Sequence, residues 1–245
     1  MKSISIIIPY YKKEKYFEKT INSILNQTFR NFEVLIIFDE ENLDNLGFIK
    51  RIAKRDKRIK IFLNRKNYGA GVSRNIGIGK SESKYIAFID ADDIWDKNKL
   101  KIQYNFMKKK NLLVTHTSYQ IINEKGVPTS NRLARELSYR DLLKSCDIGL
   151  STVMLNKKVL KKNLLFPDLK TKEDYVLWLK LAKKGTIFYP IQKNLTKWRR
   201  TKSSLSSSII QKLKDGYTVY YKYEKNNFLM SIYKLFILSF NFLKK

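Results

Sequence analysis

The most constraining feature of this sequence is a set of four short, largely apolar runs in its first third. They cover residues 4–8, 32–38, 59–63 and 85–89, and stretches with helical spacing of apolar residues, at 16–25, 43–55 and 70–80, separate them. Runs that are apolar at nearly every position are typical of strands buried on both faces. Their alternation with helices predicts an α/β fold with a parallel sheet that helices cover on both sides.

The residues that follow each of these strands are the first place to look for a binding site. Ligands of open α/β sheets bind beyond the carboxyl ends of the strands. The four segments are 9–11, 39–40, 64–67 and 90–93, and those at 39–40 and 90–93 carry carboxylates. We therefore expect these carboxylates to lie at one rim of the sheet, although they are far apart in sequence.

The second half of the chain is less regular. The pattern predicts extended structure at 112–122, a short helix at 138–144, a strand at 151–155, a helix at 173–184 that Gly185 ends, and a strand at 186–189. No linker is evident, so we expect one domain at 1–206 and a C-terminal helical extension at 207–245.

The segment Asp90-Ala91-Asp92-Asp93 concentrates negative charge at the end of a predicted buried strand. Carboxylates this close together repel one another, and a divalent cation relieves the repulsion. Mg²⁺ or Mn²⁺ held by one or two carboxylates takes its other ligands from substrate phosphates and water, so the cluster indicates a diphosphate ligand. The alternative is a solvated acidic turn in which Asp93 or Asp96 caps a helix that begins at Lys97.

Other polar residues suit such a ligand. Arg74 is placed to offset phosphate charge, and Asp39, which ends the second strand, to accept a hydrogen bond from a base or ribose. Glu173 and Asp174 begin a helix, where a carboxylate facing the phosphates would act as general base toward an acceptor hydroxyl. Each has an ordinary alternative, namely a surface role for Arg74 and Asp39 and the preference of acidic residues for helix N-termini for the pair.

Taken together and in order, these motifs resemble those of the family-2 glycosyltransferases, which have the GT-A fold. The resemblance runs from the N-terminus to about residue 206. It rests on SIIIPYY at 5–11, SILNQTF at 23–29, FEVLII at 32–37, NYG at 67–69 with SRNIG at 73–77, YIAFIDADD at 85–93, EDYVLWL at 173–179, and WRR at 198–200 with SLS at 204–206.

The resemblance implies a GT-A domain, with a Rossmann-like, mostly parallel sheet, that catalyses inverting sugar transfer from a nucleotide-diphosphate donor, expected to be a UDP-sugar. The acceptor would be a hydroxyl of a saccharide or lipid-linked molecule in cell-surface glycan biosynthesis. Asp92 would bind Mn²⁺ or Mg²⁺, Asp90 would face the metal or the ribose, and Asp174 would be the base. The implied substrate-binding residues are Pro9, Tyr11, Asp39, Arg74, Asp90, Glu173, Trp198 and Arg199.

The sequence departs from the family pattern in two places. Where the family has DDGS after the second strand, this chain has Phe38-Asp39-Glu40-Glu41, and the histidine of the family's YRxH falls on Thr201. The first change leaves the nucleotide base open, and it supports the alternative of a degenerate protein that binds sugar nucleotides without turnover. Thr201 cannot supply the charge of a histidine, which leaves Arg199 or Arg200 to compensate.

The charge balance restricts the partners. The chain has 50 Lys and Arg against 22 Asp and Glu, a formal charge of +28, which suits nucleic acid or an anionic membrane surface. The compositional drift of an AT-rich genome is an equally simple source. A non-catalytic binder of nucleic acid or anionic surfaces is therefore a second hypothesis. No nucleic-acid partner is expected, because no nucleic-acid motif appears and the acidic rim opposes one.

The last helix is the candidate membrane contact. Residues 228–243 are apolar except for Ser231, Lys234, Ser239 and Asn241, which fall on one arc of a helix. Such a helix, flanked by lysines at 222, 225, 244 and 245, is predicted to lie in a membrane interface, and the alternative is packing on the domain's own core. The apolar run at the N-terminus is too short for a signal peptide. We therefore expect a cytoplasmic protein, peripheral at the inner face of the plasma membrane.

Overall fold

A computed structural model describes residues 2–201 and 208–243 of the chain. Its strands are β1 (Ile4–Tyr10), β2 (Phe32–Phe38), β3 (Ile59–Leu63), β4 (Tyr85–Phe88), β5 (Ile94–Trp95), β6 (Val114–Ile122), β7 (Pro128–Arg132), β8 (Met154–Asn156) and β9 (Phe188–Arg199). Its helices are α1 (Glu14–Leu25), α2 (Leu46–Ala53), α3 (Ala70–Lys80), α4 (Lys99–Lys109), α5 (Tyr139–Leu142), α6 (Glu173–Lys183), α7 (Ile209–Thr218) and α8 (Phe228–Leu243).

The strands form one mixed sheet in the order β3-β2-β1-β4-β8-β6-β9-β5, with β7 paired to β6. The four strands predicted from the first third of the sequence make its parallel half. Beyond β4 the direction changes, because β8 pairs antiparallel with both β4 and β6, while β6 and β9 are parallel. The predicted α/β architecture is present, but only about half of the sheet is parallel.

The core lies on both sides of the sheet, as the continuous apolar runs predicted. Along β1, Ile4, Ile6 and Ile8 belong to one buried cluster, whereas Ile7 belongs to the other. This division follows from the alternation of side chains along a strand. A strand buried on both faces needs apolar residues at consecutive positions, which is why the run has no alternating pattern.

Several predicted boundaries were wrong for identifiable reasons. Pro9 does not end β1, because the strand continues to Tyr10 and Pro9 stays in register with Ile37 of β2. On its other side, β1 pairs with β4 only as far as Ile7. The missing N–H of Pro9 therefore costs no hydrogen bond to β4. The strand predicted at 151–155 is a 3₁₀ turn at Leu150–Thr152 followed by β8. The strand predicted at 186–189 extends to Arg199 through a polar sequence, held by its pairing with β6.

The boundary proposed between residues 206 and 207 lies outside the described residues, as does the SLS segment at 204–206. Among residues 2–201 and 208–243, none of the helices has both the length and the apolar content needed to cross a membrane.

The packing of α3 on β1 generates a stability prediction. A Cβ atom added at Gly77 would lie 2.5 Å from Ile7 Cγ2, whereas one added at Gly79, on the same helix, would meet nothing within 4 Å. Gly77→Ala should therefore lower the free energy of unfolding by about 1–3 kcal/mol, because the core must be displaced. Gly79→Ala is the matched control and should raise it by up to about 1 kcal/mol through helix propensity. Urea denaturation measures both, and equal effects would contradict the predicted contact.

Candidate active site

The acidic cluster that follows β4 does not point its carboxylates in one direction. Asp92 Oδ2 lies 2.7 Å from Lys13 Nζ, an ion pair between the start of α1 and the loop after β4. Asp93 Oδ1 accepts a hydrogen bond of 2.8 Å from the backbone N–H of Arg199. Asp90 turns toward Arg74. The cluster therefore joins three separate parts of the chain, and each carboxylate has a different partner.

The alternative interpretation of this cluster as a helix cap is mostly wrong. The helix begins at Lys99, with Asn98 as the residue before it. Asp93 instead accepts a hydrogen bond from Arg199 of β9. Asp96 does make a local contact, because its Oδ1 accepts a hydrogen bond from the N–H of Asn98. Burial, with the neighbouring charges of Asp92 and Asp90, raises the pKa of Asp93 well above its usual value, which fits a structural carboxylate.

Arg74 is the centre of the site. Its Nη2 lies 2.7 Å from Asp90 Oδ1 and its Nη1 lies 2.5 Å from Glu173 Oε1, and its side chain is almost fully buried. Burial by itself lowers the pKa of Arg74, but the charges of Asp90 and Glu173 raise it above the usual value. The guanidinium thus joins the acidic cluster after β4 to the acidic pair at the start of α6.

Asp174 is adjacent to this bridge. Its Oδ1 accepts a hydrogen bond of 2.7 Å from the N–H of Tyr175, and the side chain is half-buried at the first turn of α6. Burial, with the charge of Glu173, raises the pKa of Asp174 to about 7. A carboxylate with such a pKa is a better proton acceptor than an ordinary aspartate.

A residue of the C-terminal extension also reaches this region, which the sequence patterns did not indicate. Asp215 of α7 accepts hydrogen bonds from both the N–H and the Oγ1 of Thr171, at 2.9 and 2.8 Å. Lys172, the next residue, has a positive φ of 63° and precedes α6. Asp215 therefore fixes the backbone immediately before Glu173 and Asp174.

Asp39 lies at the predicted rim and holds the loop that follows β3. Its carboxylate accepts hydrogen bonds from Asn64 Nδ2 at 2.7 Å and from the N–H groups of Tyr68 and Gly69, both at 2.9 Å. Glu40, which replaces the glycine of the family's DDGS, accepts a hydrogen bond from the N–H of Lys12 at 2.6 Å. Phe38 is buried and stacks on Tyr10. Two of the departures from DDGS, Phe38 and Glu40, thus have partners inside the protein.

The remaining predicted residues fall into two groups. Pro9 and Tyr11 lie at the end of β1, and Tyr11 is exposed. Trp198 and Arg199 lie in β9, opposite Ile121 and Ile122 of β6. Arg199 is buried, and its Nε donates a hydrogen bond to the carbonyl oxygen of Asp92 at 2.9 Å. Its guanidinium therefore stabilises the backbone of the acidic loop.

The donor set at the rim fits a divalent cation only in part. Among the described residues, no three His, Cys, Asp or Glu side chains are arranged to surround a metal ion. Asp90 and Asp92 each use one carboxylate oxygen in their ion pairs, and the other oxygen remains a suitable ligand. A site of one or two carboxylates completed by phosphate oxygens and water is what Mg²⁺ commonly adopts, so these residues fit a cation that arrives with a diphosphate.

A parallel half-sheet with an acidic loop at its carboxyl edge, joined through Arg74 to an acidic pair at the start of α6, fits the GT-A fold that the motifs predicted. The family model described as "Glycosyl transferase family 2" matches residues 5–165. The chain belongs to this family, which confirms the resemblance given by its motifs.

Named relatives support this assignment. The chain is 31% identical to the Bacillus subtilis "Putative teichuronic acid biosynthesis glycosyltransferase TuaG", over 92% of this chain and 90% of that protein. It is 36% identical to the Escherichia coli "UDP-Glc:alpha-D-GlcNAc-diphosphoundecaprenol beta-1,3-glucosyltransferase WfgD", over 88% and 84%. An "Uncharacterized glycosyltransferase" of Rickettsia felis is 39% identical over 80% of this chain, which spans only 33% of that longer protein.

Solved structures confirm the fold. S. aureus TarS 1–349 in complex with UDP-GlcNAc superposes with a TM-score of 0.73 and 26% identity, over 89% of this chain and 64% of that one. The mannosyltransferase PcManGT from Pyrobaculum calidifontis, in complex with GDP-Man and Mn²⁺, gives a TM-score of 0.70 at 12% identity, over 91% and 64%. The α/β GT-A fold with C-terminal helices is therefore the fold of this chain.

The buried bridge at Arg74 predicts a large loss of stability on its removal. Arg74→Gln leaves Glu173 buried without its partner, which costs about 3–5 kcal/mol for buried ion pairs. The matched control is Arg55→Gln, which breaks an exposed ion pair with Glu18 and should cost at most about 1 kcal/mol. Urea denaturation at pH 7.5 compares the two variants, and a loss at Arg74 no larger than that at Arg55 would disprove the bridge.

Proposed function

We propose that this protein is an inverting glycosyltransferase that moves a sugar from a nucleotide-diphosphate donor to an acceptor hydroxyl. The observation that carries the proposal is the Arg74 bridge, which joins Asp90 of the acidic loop to Glu173, the neighbour of Asp174. Arg74 and Glu173 are 99 residues apart in the sequence. The two acidic motifs meet on one guanidinium, so the donor side and the acceptor side of a transfer site share one rigid connection.

In this proposal Asp174 accepts the proton of the attacking hydroxyl. Inversion requires the acceptor to attack the anomeric carbon on the face opposite the leaving diphosphate. Asp174 directly follows Glu173, which Arg74 joins to Asp90, and its raised pKa lets it bind the released proton. Glu173 forms an ion pair with Arg74, and the proposal places its side chain near the acceptor.

Asp92 and Asp90 would hold Mn²⁺ or Mg²⁺ with the donor diphosphate. The cation would supply charge stabilisation to the leaving diphosphate. Lys13 forms an ion pair with Asp92, so the proposal places its ammonium group beside the same diphosphate. Pro9 at the end of β1 and the loops after β1 and β2, with Tyr11 and Asp39, are assigned to the nucleotide, and Trp198 to substrate.

The donor and acceptor are proposed from the relatives of this chain. TarS 1–349 was solved with UDP-GlcNAc, which supports a UDP-sugar donor. TuaG and WfgD support a role in cell-surface glycan synthesis, with a lipid-linked acceptor in the case of WfgD. A lipid-linked acceptor would place this protein at the inner face of the plasma membrane as a peripheral protein.

A degenerate protein that binds sugar nucleotides without turnover is the second candidate. It is favoured by Phe38 and Glu40, which replace two residues of the DDGS segment. Phe38 stacks on Tyr10, and Glu40 accepts a hydrogen bond from Lys12. The two candidates differ in turnover and agree in donor binding, so a transfer assay with a panel of sugar nucleotides and Mn²⁺ separates them.

The role of Asp174 predicts a loss of turnover without a loss of donor binding. Asp174→Asn removes the proton acceptor and should lower kcat by about 10²–10⁴-fold, while calorimetry shows donor affinity within about twofold of the unchanged protein. Asp168→Asn, which changes an exposed carboxylate in the segment before α6, is the control and should keep full activity. Near-normal turnover in Asp174→Asn would rule out this base.

The pKa of Asp174 predicts a pH dependence of kcat/KM. A general base acts in its ionised form, and the pKa is raised to about 7. The rate should therefore be constant above about pH 8 and fall about tenfold per pH unit below pH 6, as the carboxylate becomes protonated. A profile with its acidic limb near pH 4 would show that Asp174 is not the titrating base.

Asp92 predicts a link between the cation and the diphosphate. Adding Mn²⁺ should raise the affinity for UDP in calorimetry, because Asp92 would hold the cation and the cation would stabilise the negative charge of the diphosphate. Asp92→Asn should abolish this increase while leaving the binding measured without metal. Asp44→Asn, an exposed carboxylate elsewhere, should retain the increase. If EDTA has no effect on UDP binding or on transfer, the proposed metal dependence is wrong.

A further inference from the structure

Helix α8 is oriented with its polar arc toward the protein. Ser231 is buried and its Oγ donates a hydrogen bond to the carbonyl of Asn227 at 2.8 Å. Lys234 Nζ and Asn241 Nδ2 bind Asn226 Oδ1 and the carbonyl of Lys144, both at 3.0 Å. The alternative of packing on the domain is therefore present in part, because a narrow strip of the helix docks there.

The opposite face of α8 is apolar and exposed. Leu229 is 77% exposed and Phe236 68%, and the exposed row continues through Ile232, Tyr233 and Phe240. Helix α7 runs antiparallel beside it and adds exposed isoleucines at 209 and 210. A water-facing helix of a globular protein normally has the reverse orientation, so this face indicates a contact with an apolar medium.

A cavity of about 280 Å³ lies between α5 and this helix. Its lining combines three cations with three apolar or aromatic side chains, namely Arg140, Lys144, Lys234, Leu143, Tyr233 and Ile237. Among the described residues, no ion pair joins any of the three cations to a carboxylate. The nearby Glu224 is already bound by Tyr139 and Lys183. The cavity is therefore a cationic pocket beside an exposed apolar face.

We propose that this pocket binds the phosphate of an anionic phospholipid head group while the outer face of α8 inserts into the same bilayer. The pocket supplies guanidinium and ammonium donors suited to phosphate, and Tyr233 belongs to both the pocket and the exposed row. Aromatic residues bordered by lysines are typical of helices in the membrane interface. The inference rests on the proposed function only in expecting an acceptor at a membrane.

The same surface is connected to the proposed base. A Cβ atom at Gly216 of α7 would lie 2.7 Å from Leu235 of α8, so the two helices are in close contact there. The residue before Gly216 is Asp215, which fixes Thr171 ahead of α6. A bilayer bound at α8 would thus lie next to α7, whose Asp215 fixes the backbone that precedes Asp174.

The test of the pocket is cosedimentation with vesicles of phosphatidylglycerol or of phosphatidylcholine. Arg140→Gln/Lys144→Gln should weaken binding to phosphatidylglycerol by about 30-fold, since each basic residue near an anionic surface contributes to binding. Lys54→Gln/Lys57→Gln, two exposed lysines after α2, remove the same charge and should change binding by less than about threefold. Phosphatidylcholine should bind weakly in every case.

The test of the apolar face uses a second pair of variants. Phe236→Ser should weaken vesicle binding. The control is Leu133→Ser, which should not, because Leu133 is an apolar residue just after β7 whose side chain is also mostly exposed, at 78%. Sedimentation velocity reports whether the same face instead joins two copies of this chain. A dimer that Phe236→Ser dissociates, with no binding to phosphatidylglycerol, would overturn the proposal.

Equal weakening of vesicle binding by Arg140→Gln/Lys144→Gln and by Lys54→Gln/Lys57→Gln would also overturn the proposal, because binding would then depend on net charge alone. Unchanged binding in Arg140→Gln/Lys144→Gln would do the same. Calorimetry with UDP and Mn²⁺ on every variant keeps the two proposals separate. Vesicle binding that fails while UDP binding persists refutes the membrane site only, and loss of UDP binding in the unchanged protein refutes the proposed function only.

Discussion

The buried guanidinium of Arg74 is the interaction on which the rest of the site depends. It is enclosed by the protein and compensated on one side by Asp90 and on the other by Glu173. A buried charge of this kind is tolerated only when its partners are held in place. The loop after β4 and the start of α6 are therefore fixed relative to each other, and the proposed transfer chemistry takes place across that connection.

The acidic cluster shows how neighbouring carboxylates acquire different roles from their partners. Asp93 is buried and anchors β9, Asp92 faces Lys13, and Asp90 faces Arg74. Arg199, in which the sequence suggested a substrate ligand, donates to the backbone of this loop. Only Asp90 and Asp92 retain carboxylate oxygens suited to an incoming cation. Two of the three carboxylates in the cluster therefore remain available to a ligand.

The C-terminal helices are more than an attachment to the domain. Asp215 holds the backbone that precedes the proposed base, and α8 packs on α7 through Gly216 and Leu235. Helix α8 also carries the exposed apolar face and borders the cationic pocket. A protein that receives its acceptor from a membrane would gain from such an arrangement, because the membrane contact and the base belong to one packed unit.

The sequence by itself determined the strands of the parallel half, the rim at which their carboxyl ends meet, and the family, because apolar runs and ordered motifs are local signals. It did not predict β9 beyond residue 189, where polar residues are held by pairing with β6. Nor did it assign a partner to any carboxylate. Those pairs join residues 79, 99 and 106 positions apart for Lys13–Asp92, Arg74–Glu173 and Asp93–Arg199. Only the tertiary structure decides such contacts, because the strength of an ion pair depends on distance and burial, which no local pattern specifies.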